Sequence, residues 1–131
     1  MKTVKKRLGI WMDHSMAHLM EFSETPFEIE TIESKFTHEE KEKKLAKGES
    51  FMHHKEQQLH SDYFKKIAKV ILNYDKVLLF GPTNAKTELF NILSEDNRYV
   101  KIKICIKDTD KMNAHQRQSF IVEHFSSPLY N

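Results

Sequence analysis

Asp13 and His14 are the first pair in this chain with the makings of a reaction centre. They follow the apolar run RLGIWM, which places a carboxylate and an imidazole at the end of a buried strand. A carboxylate there can be one ligand of a Mg²⁺ or Mn²⁺ ion that drives phosphodiester cleavage. Such a site needs several hard oxygen donors. Asp75, Asp96, Asp108 and Asp110 do not supply them convincingly, because each reads as a turn or cap residue. Asp13 is therefore expected to serve the turn Asp13-His14-Ser15. Catalysis by Asp13 and His14 is the alternative reading.

His53, His54 and His60 are the second group. On a helix His53 and His60 share a face but stand two turns apart, and His54 and His60 do not share one. A metal pair on one helix converges at i and i+4, so these histidines read as a solvated helix start, and neither metal nor cofactor is expected. Gly81-Pro82-Thr83-Asn84 has one glycine and no following Lys-Ser/Thr pair, which argues against a phosphate loop. It reads as a tight strand-to-helix turn, although a helix N-terminus after a strand can hold an anion. Cys105 is the only cysteine and lies inside the alternating stretch VKIKICIK, so it reads as a structural thiol. A lone thiol makes no internal disulfide and fits a reducing, cytoplasmic setting.

The longest polar break runs from Ser34 to His54, SKFTHEEKEKKLAKGESFMHH. Connections in compact domains are commonly about 4–6 residues, and much longer ones tend to be functional or disordered. This one is expected to be a flexible polar arm. Lys41, Lys43, Lys44 and Lys47 lie within it, and Lys55, Lys65, Lys66 and Lys69 follow on the next helix. Lysines so placed suit phosphate contacts, which give affinity without reading sequence. Glu39, Glu40, Glu42 and Glu49 dilute the charge, so a solvated loop and helix face fits the same residues.

The elements that must position these groups follow from periodicity. Residues 7–12 and 16–22 read as a hairpin, and Phe27-Glu28-Ile29-Glu30-Thr31 as a third strand with its Glu face wet. After the arm the period changes. Met52, Leu59, Tyr63, Ile67, Val70 and Ile71 share one side of a helix, with Ser50 as a plausible N-cap and Asn73-Tyr74-Asp75 as its end. Val77–Phe80 is apolar on both faces, as in a covered central strand. A second helix turns Ala85, Leu89, Ile92 and Leu93 inward. A strand follows with Val100, Ile102, Ile104 and Ile106 inward and Lys101, Lys103, Cys105 and Lys107 outward. Asn113 and Gln116 form a capping box for a last helix that presents Phe120, Ile121 and Phe125 to the core. The order predicts an α/β fold with a mixed five-stranded sheet: an antiparallel meander, then parallel strands joined through a helix, with three helices packed on it.

At 131 residues, 39% hydrophobic and 31% charged, the chain reads as one globular domain over residues 1–131. The net charge of +2 does not announce nucleic-acid binding, so any basic surface must be local. The start, MKTVKKRLGIWMDH, does not have the pattern of a signal peptide. No stretch nears the ~20 apolar residues of a membrane helix, and no membrane partner is expected.

The stretches LGIWMDHSMAHLMEF, KGESFMHHKEQQLHSDYFKKIAKVI and LLFGPTNAKTELFNIL, with the closing helix, resemble the central domain of archaeal and eukaryotic class I release factors and of Pelota. The likeness covers nearly the whole chain and implies a ribonuclease-H-like fold in a stand-alone, bacterial-type homologue. In the release factors the loop before the long helix ends in Gly-Gly-Gln, whose glutamine positions the attacking water. Here that place reads Lys47-Gly48-Glu49-Ser50, so the resemblance implies ribosome association but does not carry peptidyl-tRNA hydrolysis across. The expected partner is then the ribosome or a structured RNA, in rescue, stress or hibernation. It would be contacted through Lys41, Lys43, Lys44, Lys47, Gly48, His53, His54 and Lys55. A metal-dependent nuclease using Asp13 and a protein-interaction module are the alternatives.

Overall fold

A computed structural model of the chain describes residues 6–22, 27–34 and 61–126. The strands are β1 (Arg7–Met12), β2 (Met16–Phe22), β3 (Phe27–Glu33), β4 (Lys76–Gly81) and β5 (Lys103–Asp108). They form one sheet in the order β3-β2-β1-β4-β5. β1 and β2, and β2 and β3, pair antiparallel, while β4 pairs parallel with β1 on one side and β5 on the other. Among the described residues the helices are α1 (residues 61–71), α2 (Ala85–Ser94) and α3 (Ala114–Phe125). The expected α/β architecture is thus observed, with the meander and the helix-linked parallel pair in place.

The period-two alternation of the strands sorts the apolar side chains into two layers. On one face Leu8, Ile10, Leu19, Val77 and Leu79 meet Tyr63, Ile67 and Ile71 of α1 and Ala85, Leu89 and Leu93 of α2. On the other, Trp11, Met20, Leu78 and Phe80 meet Ile121 and Phe125 of α3. β1 and β4 are apolar on both faces because both faces are covered. Gly9 lets α3 approach: a Cβ there would run into the Ile121 side chain. Phe120 stacks on Phe80 at 4.8 Å between ring centroids. The Asn113–Gln116 capping box forms as the residues predict, the Asn113 side chain accepting from the Gln116 N–H at 2.9 Å.

Three details depart from the expected pattern. The last strand begins at Lys103, and Val100 is 78% exposed. Asp96 caps a short 3-10 turn at Asn97–Tyr99, and Tyr99 is pinned by its hydroxyl to the Ala68 carbonyl at 2.8 Å, so the chain is still turning at Val100. In β3 the register slips opposite Leu19 and Met20, and Ile29 falls at the bulge, 38% exposed. Ile32 is buried in that strand. On α2, Ile92 is exposed and Lys86 is buried in its stead. Met52, Leu59 and the Ser50 cap lie outside the described residues.

Candidate functional site

The carboxyl ends of the parallel strands β1, β4 and β5 open at one end of the sheet, where α/β folds place ligands. β1 stops there because Asp13 turns the chain. Its Oδ1 accepts the N–H groups of Ser15 at 2.7 Å and Met16 at 2.9 Å, and its own N–H donates to the Met16 carbonyl at 3.0 Å. This is the Asx-type turn chemistry that the sequence suggests. His14 reaches out of the turn and meets the Glu88 carboxylate of α2 at 2.6 Å, both side chains being partly in water.

Two long-range bonds converge on the same three residues. The Tyr63 hydroxyl donates to the Asp13 carbonyl at 2.8 Å, and the Ser34 N–H donates to the Ser15 carbonyl at 2.8 Å. Tyr63 is the second buried residue type on α1 that matters here, after the aliphatic stripe. Burial, with the Asp13 charge adding to it, pushes its phenol well above the usual range, so it remains a donor at every physiological pH. Ser34, the first residue of the polar stretch, is itself buried. The β1–β2 turn therefore holds the described residues on both sides of segment 35–60.

Beside it, β4 ends at Gly81, whose φ of +149° favours glycine. A Cβ there would collide with the Met12 carbonyl oxygen, so the ends of β1 and β4 approach as closely as backbones can. Lys86, in the first turn of α2, is 1% exposed. Its Nζ donates to the Thr83 carbonyl and pairs with Asp108 Oδ1 at 2.7 Å at the end of β5. Among the described residues no three His, Cys, Asp or Glu side chains come together as metal ligands. Asp108 is committed to Lys86, Asp75 accepts the Lys6 N–H at 2.9 Å, and Asp96 holds Arg98. Asp13 and His14 are thus brought to the rim of this end, but as the turn and its tie to α2.

Lys41, Lys43, Lys44, Lys47, Gly48, His53, His54 and Lys55, with His60, lie outside the described residues. Lys65, Lys66 and Lys69 are exposed on α1, opposite its apolar stripe. Sequence reasoning missed Tyr63 as an anchor, Lys86 as a buried cation and Glu88 as the partner of His14. Tyr63 carried a weak signal: it is the one residue of the α1 stripe with a hydroxyl, and buried tyrosines generally find an acceptor.

Solved structures with this arrangement are found. Over 94% of the chain it superposes on Pelota of Archaeoglobus fulgidus with a TM-score of 0.61 at 12% identity. Pelota of Thermoplasma acidophilum matches over 95% with a TM-score of 0.58 at 16% identity. An archaeal translation termination factor, aRF1, matches over 95% with a TM-score of 0.61 at 15% identity. The fold is Pelota- and aRF1-like. The chain spans about a third of the length of each of these proteins, 32%, 33% and 35% respectively. No protein-family model matches the chain, and no curated protein matches it in sequence.

Proposed function

We propose that this protein is a non-catalytic, ribosome- or RNA-associated factor built on the Pelota- and aRF1-like fold, and that segment 34–54 is its contact arm. The observation that carries the reading is the double anchorage at the β1–β2 turn. Ser34 binds Ser15 and Tyr63 binds Asp13, so the described residues on both sides of segment 35–60 are tied to one turn. Such rooting fixes where a polar segment meets a polyanion while leaving its lysines for phosphates. The neighbours support the setting, since one of them is a translation termination factor. In this reading Lys41, Lys43, Lys44, Lys47, Gly48, His53, His54 and Lys55 make the contacts. Glu49 and Ser50 stand where a release factor has the end of Gly-Gly-Gln, so the glutamine that positions water there is missing. A role in rescue, stress or hibernation follows from binding without hydrolysis.

Sedimentation through sucrose tests it. The protein should travel with ribosomes at low salt and leave them as salt rises, and removal of residues 38–49 should weaken the association. Absence from every ribosomal fraction at all salt concentrations overturns the proposal. A nuclease centred on Asp13 is a separate outcome of the same preparation: RNA cleavage with Mg²⁺ or Mn²⁺ that is lost in Asp13→Asn would replace the binding role with a catalytic one.

A further inference from the structure

The sheet face under α3 carries a polar cluster that neither the β1–β2 turn nor the arm uses. Trp11, His18 and Thr31 are register partners on β1, β2 and β3. Trp11 packs with Ile121 and Phe125, which puts this row on the α3 side of the sheet. Arg117 comes down from α3 onto it, its guanidinium over the indole at 5.8 Å, and the His18 ring lies 5.8 Å from the same indole. Glu28 completes the group: its Oε1 accepts from the Thr31 hydroxyl at 2.8 Å and meets His18 Nδ1 at 2.7 Å. Burial alone would raise the Glu28 pKa. The bonds from His18 and Thr31, with the His18 and Arg117 charges, outweigh it and hold the carboxyl below its usual range.

Two donors of this cluster are unfinished. Trp11 is 6% exposed, and among the described residues its indole N–H has no acceptor. Arg117 donates one terminal nitrogen to the Met112 carbonyl at 2.9 Å, while its buried Nε–H has no acceptor among the described residues either. A buried donor without a partner is costly, and two beside one another point to a shared acceptor. His18 adds a third contact. Its bonds run through Nδ1 to Glu28 and Thr31, which leaves Nε2 for a further partner. With the Nδ1–H on the carboxylate, Nε2 of the neutral ring carries the lone pair. The cluster thus offers two N–H donors and one acceptor, and the indole and imidazole planes are tilted by 44°. A carboxylate is flat and has no proton to give. A phosphate that keeps one proton is tetrahedral, accepts from both N–H groups and donates its O–H to Nε2. Side-chain exposure rises outwards, to 18% at His18 and 46% at Glu28, so the cluster opens on the β2–β3 side.

We infer that Trp11, Arg117 and His18 form a site for a monohydrogen phosphate group, free or at the end of a phosphomonoester, with Glu28 and Thr31 holding the imidazole in place. The inference does not depend on the ribosome- or RNA-associated reading. An internal RNA phosphate is a diester and has no O–H for Nε2.

Trp11 is the only tryptophan of the chain, so it reports on the site by itself. The full chain should show one indole N–H signal in a ¹⁵N–¹H spectrum. Inorganic phosphate should move that signal saturably and change the tryptophan emission in parallel, whereas sodium chloride at matched ionic strength should not. Arg117→Gln and His18→Phe should each raise the apparent dissociation constant about tenfold or more, the loss expected for one charged or buried hydrogen bond. Phosphate should also raise the melting temperature of the wild type and not that of Arg117→Gln, a comparison that holds even if the variant starts out less stable. Adenosine 5′-monophosphate binding as tightly as inorganic phosphate assigns the site to a phosphomonoester, and binding of phosphate alone assigns it to the free ion. Equal binding of a diester dinucleotide removes the role of Nε2 and overturns the assignment to a protonated phosphate, as does an equal response to acetate. An indole signal indifferent to phosphate throughout the millimolar range overturns the inference outright, the two donors then holding a trapped water.

Discussion

Single residues at the β1–β2 turn carry more than their surface position suggests. Tyr63 is 1% exposed and spends its hydroxyl on the Asp13 carbonyl. Tyr63→Phe keeps the packing and strands that carbonyl, and the expected loss is about 1–3 kcal/mol, read as a shift of the urea midpoint with an unchanged slope. His124 offers a pH-dependent counterpart. It is 5% exposed in the last turn of α3, and burial, helped by the Lys107 charge, holds its imidazole down at about 4. The folded state therefore keeps the ring neutral where the unfolded chain, near 6.5, binds a proton. Between these values the unfolded state holds more protons, so stability rises with pH and is lost as pH falls from about 6.5 through about 4. Melting temperatures from pH 7 down to 4 should drop in the wild type and drop less in His124→Phe. Equal slopes in the two proteins would show that His124 is not the titrating group.

At the scale of elements, the tie between α2 and β5 is asymmetric, and this sets the sign of a mutational comparison. Lys86 is buried, whereas the Asp108 side chain is 94% exposed. Lys86→Met removes a charge from the interior and leaves a carboxylate that water already solvates, so its cost should stay below about 1 kcal/mol. Asp108→Asn leaves the ammonium buried with neutral acceptors in place of its counter-charge, and it should cost about 1–3 kcal/mol. Thermal melts of the two single variants check the order, and the reverse order would mean that the pair contributes little. This pairing also marks where the sequence stops being informative. The alternation of β1 and β4, the period of α1 and the Asn113–Gln116 box are local, and each was readable from neighbouring residues. Lys86 is a lysine in a first helical turn, indistinguishable in sequence from a solvated one until Asp108 is brought to it by β5. Val100 continued an alternating run that the Asp96 cap and the Tyr99 anchor then bent away, and Ile29 lost its place to a bulge. The Tyr63–Asp13 bond spans 50 residues of sequence and depends on the packing of α1 across β1, which no periodicity encodes. The lysines of the arm were legible only as composition.

At the scale of the whole molecule, the sheet and its three helices form a body whose stability should be separable from the arm. The described residues on either side of it are tied to the body: the Ser34 N–H donates to the Ser15 carbonyl, and the Tyr63 hydroxyl to the Asp13 carbonyl. Deleting 38–49 shortens the connection between residues 34 and 61, and for a flexible connection each halving returns about 0.6 kcal/mol of closure entropy. The deletion variant should therefore melt at or slightly above the wild-type temperature while its association with ribosomes weakens. That combination distinguishes an arm that makes contacts from one that packs. If 38–49 were instead part of the core cover, the same deletion would expose apolar surface, lower the melting temperature by several degrees and flatten the unfolding transition. Calorimetry and sedimentation on one preparation then decide between the two, because a contact arm predicts opposite changes in stability and in binding, whereas a structural flap predicts that both fall together.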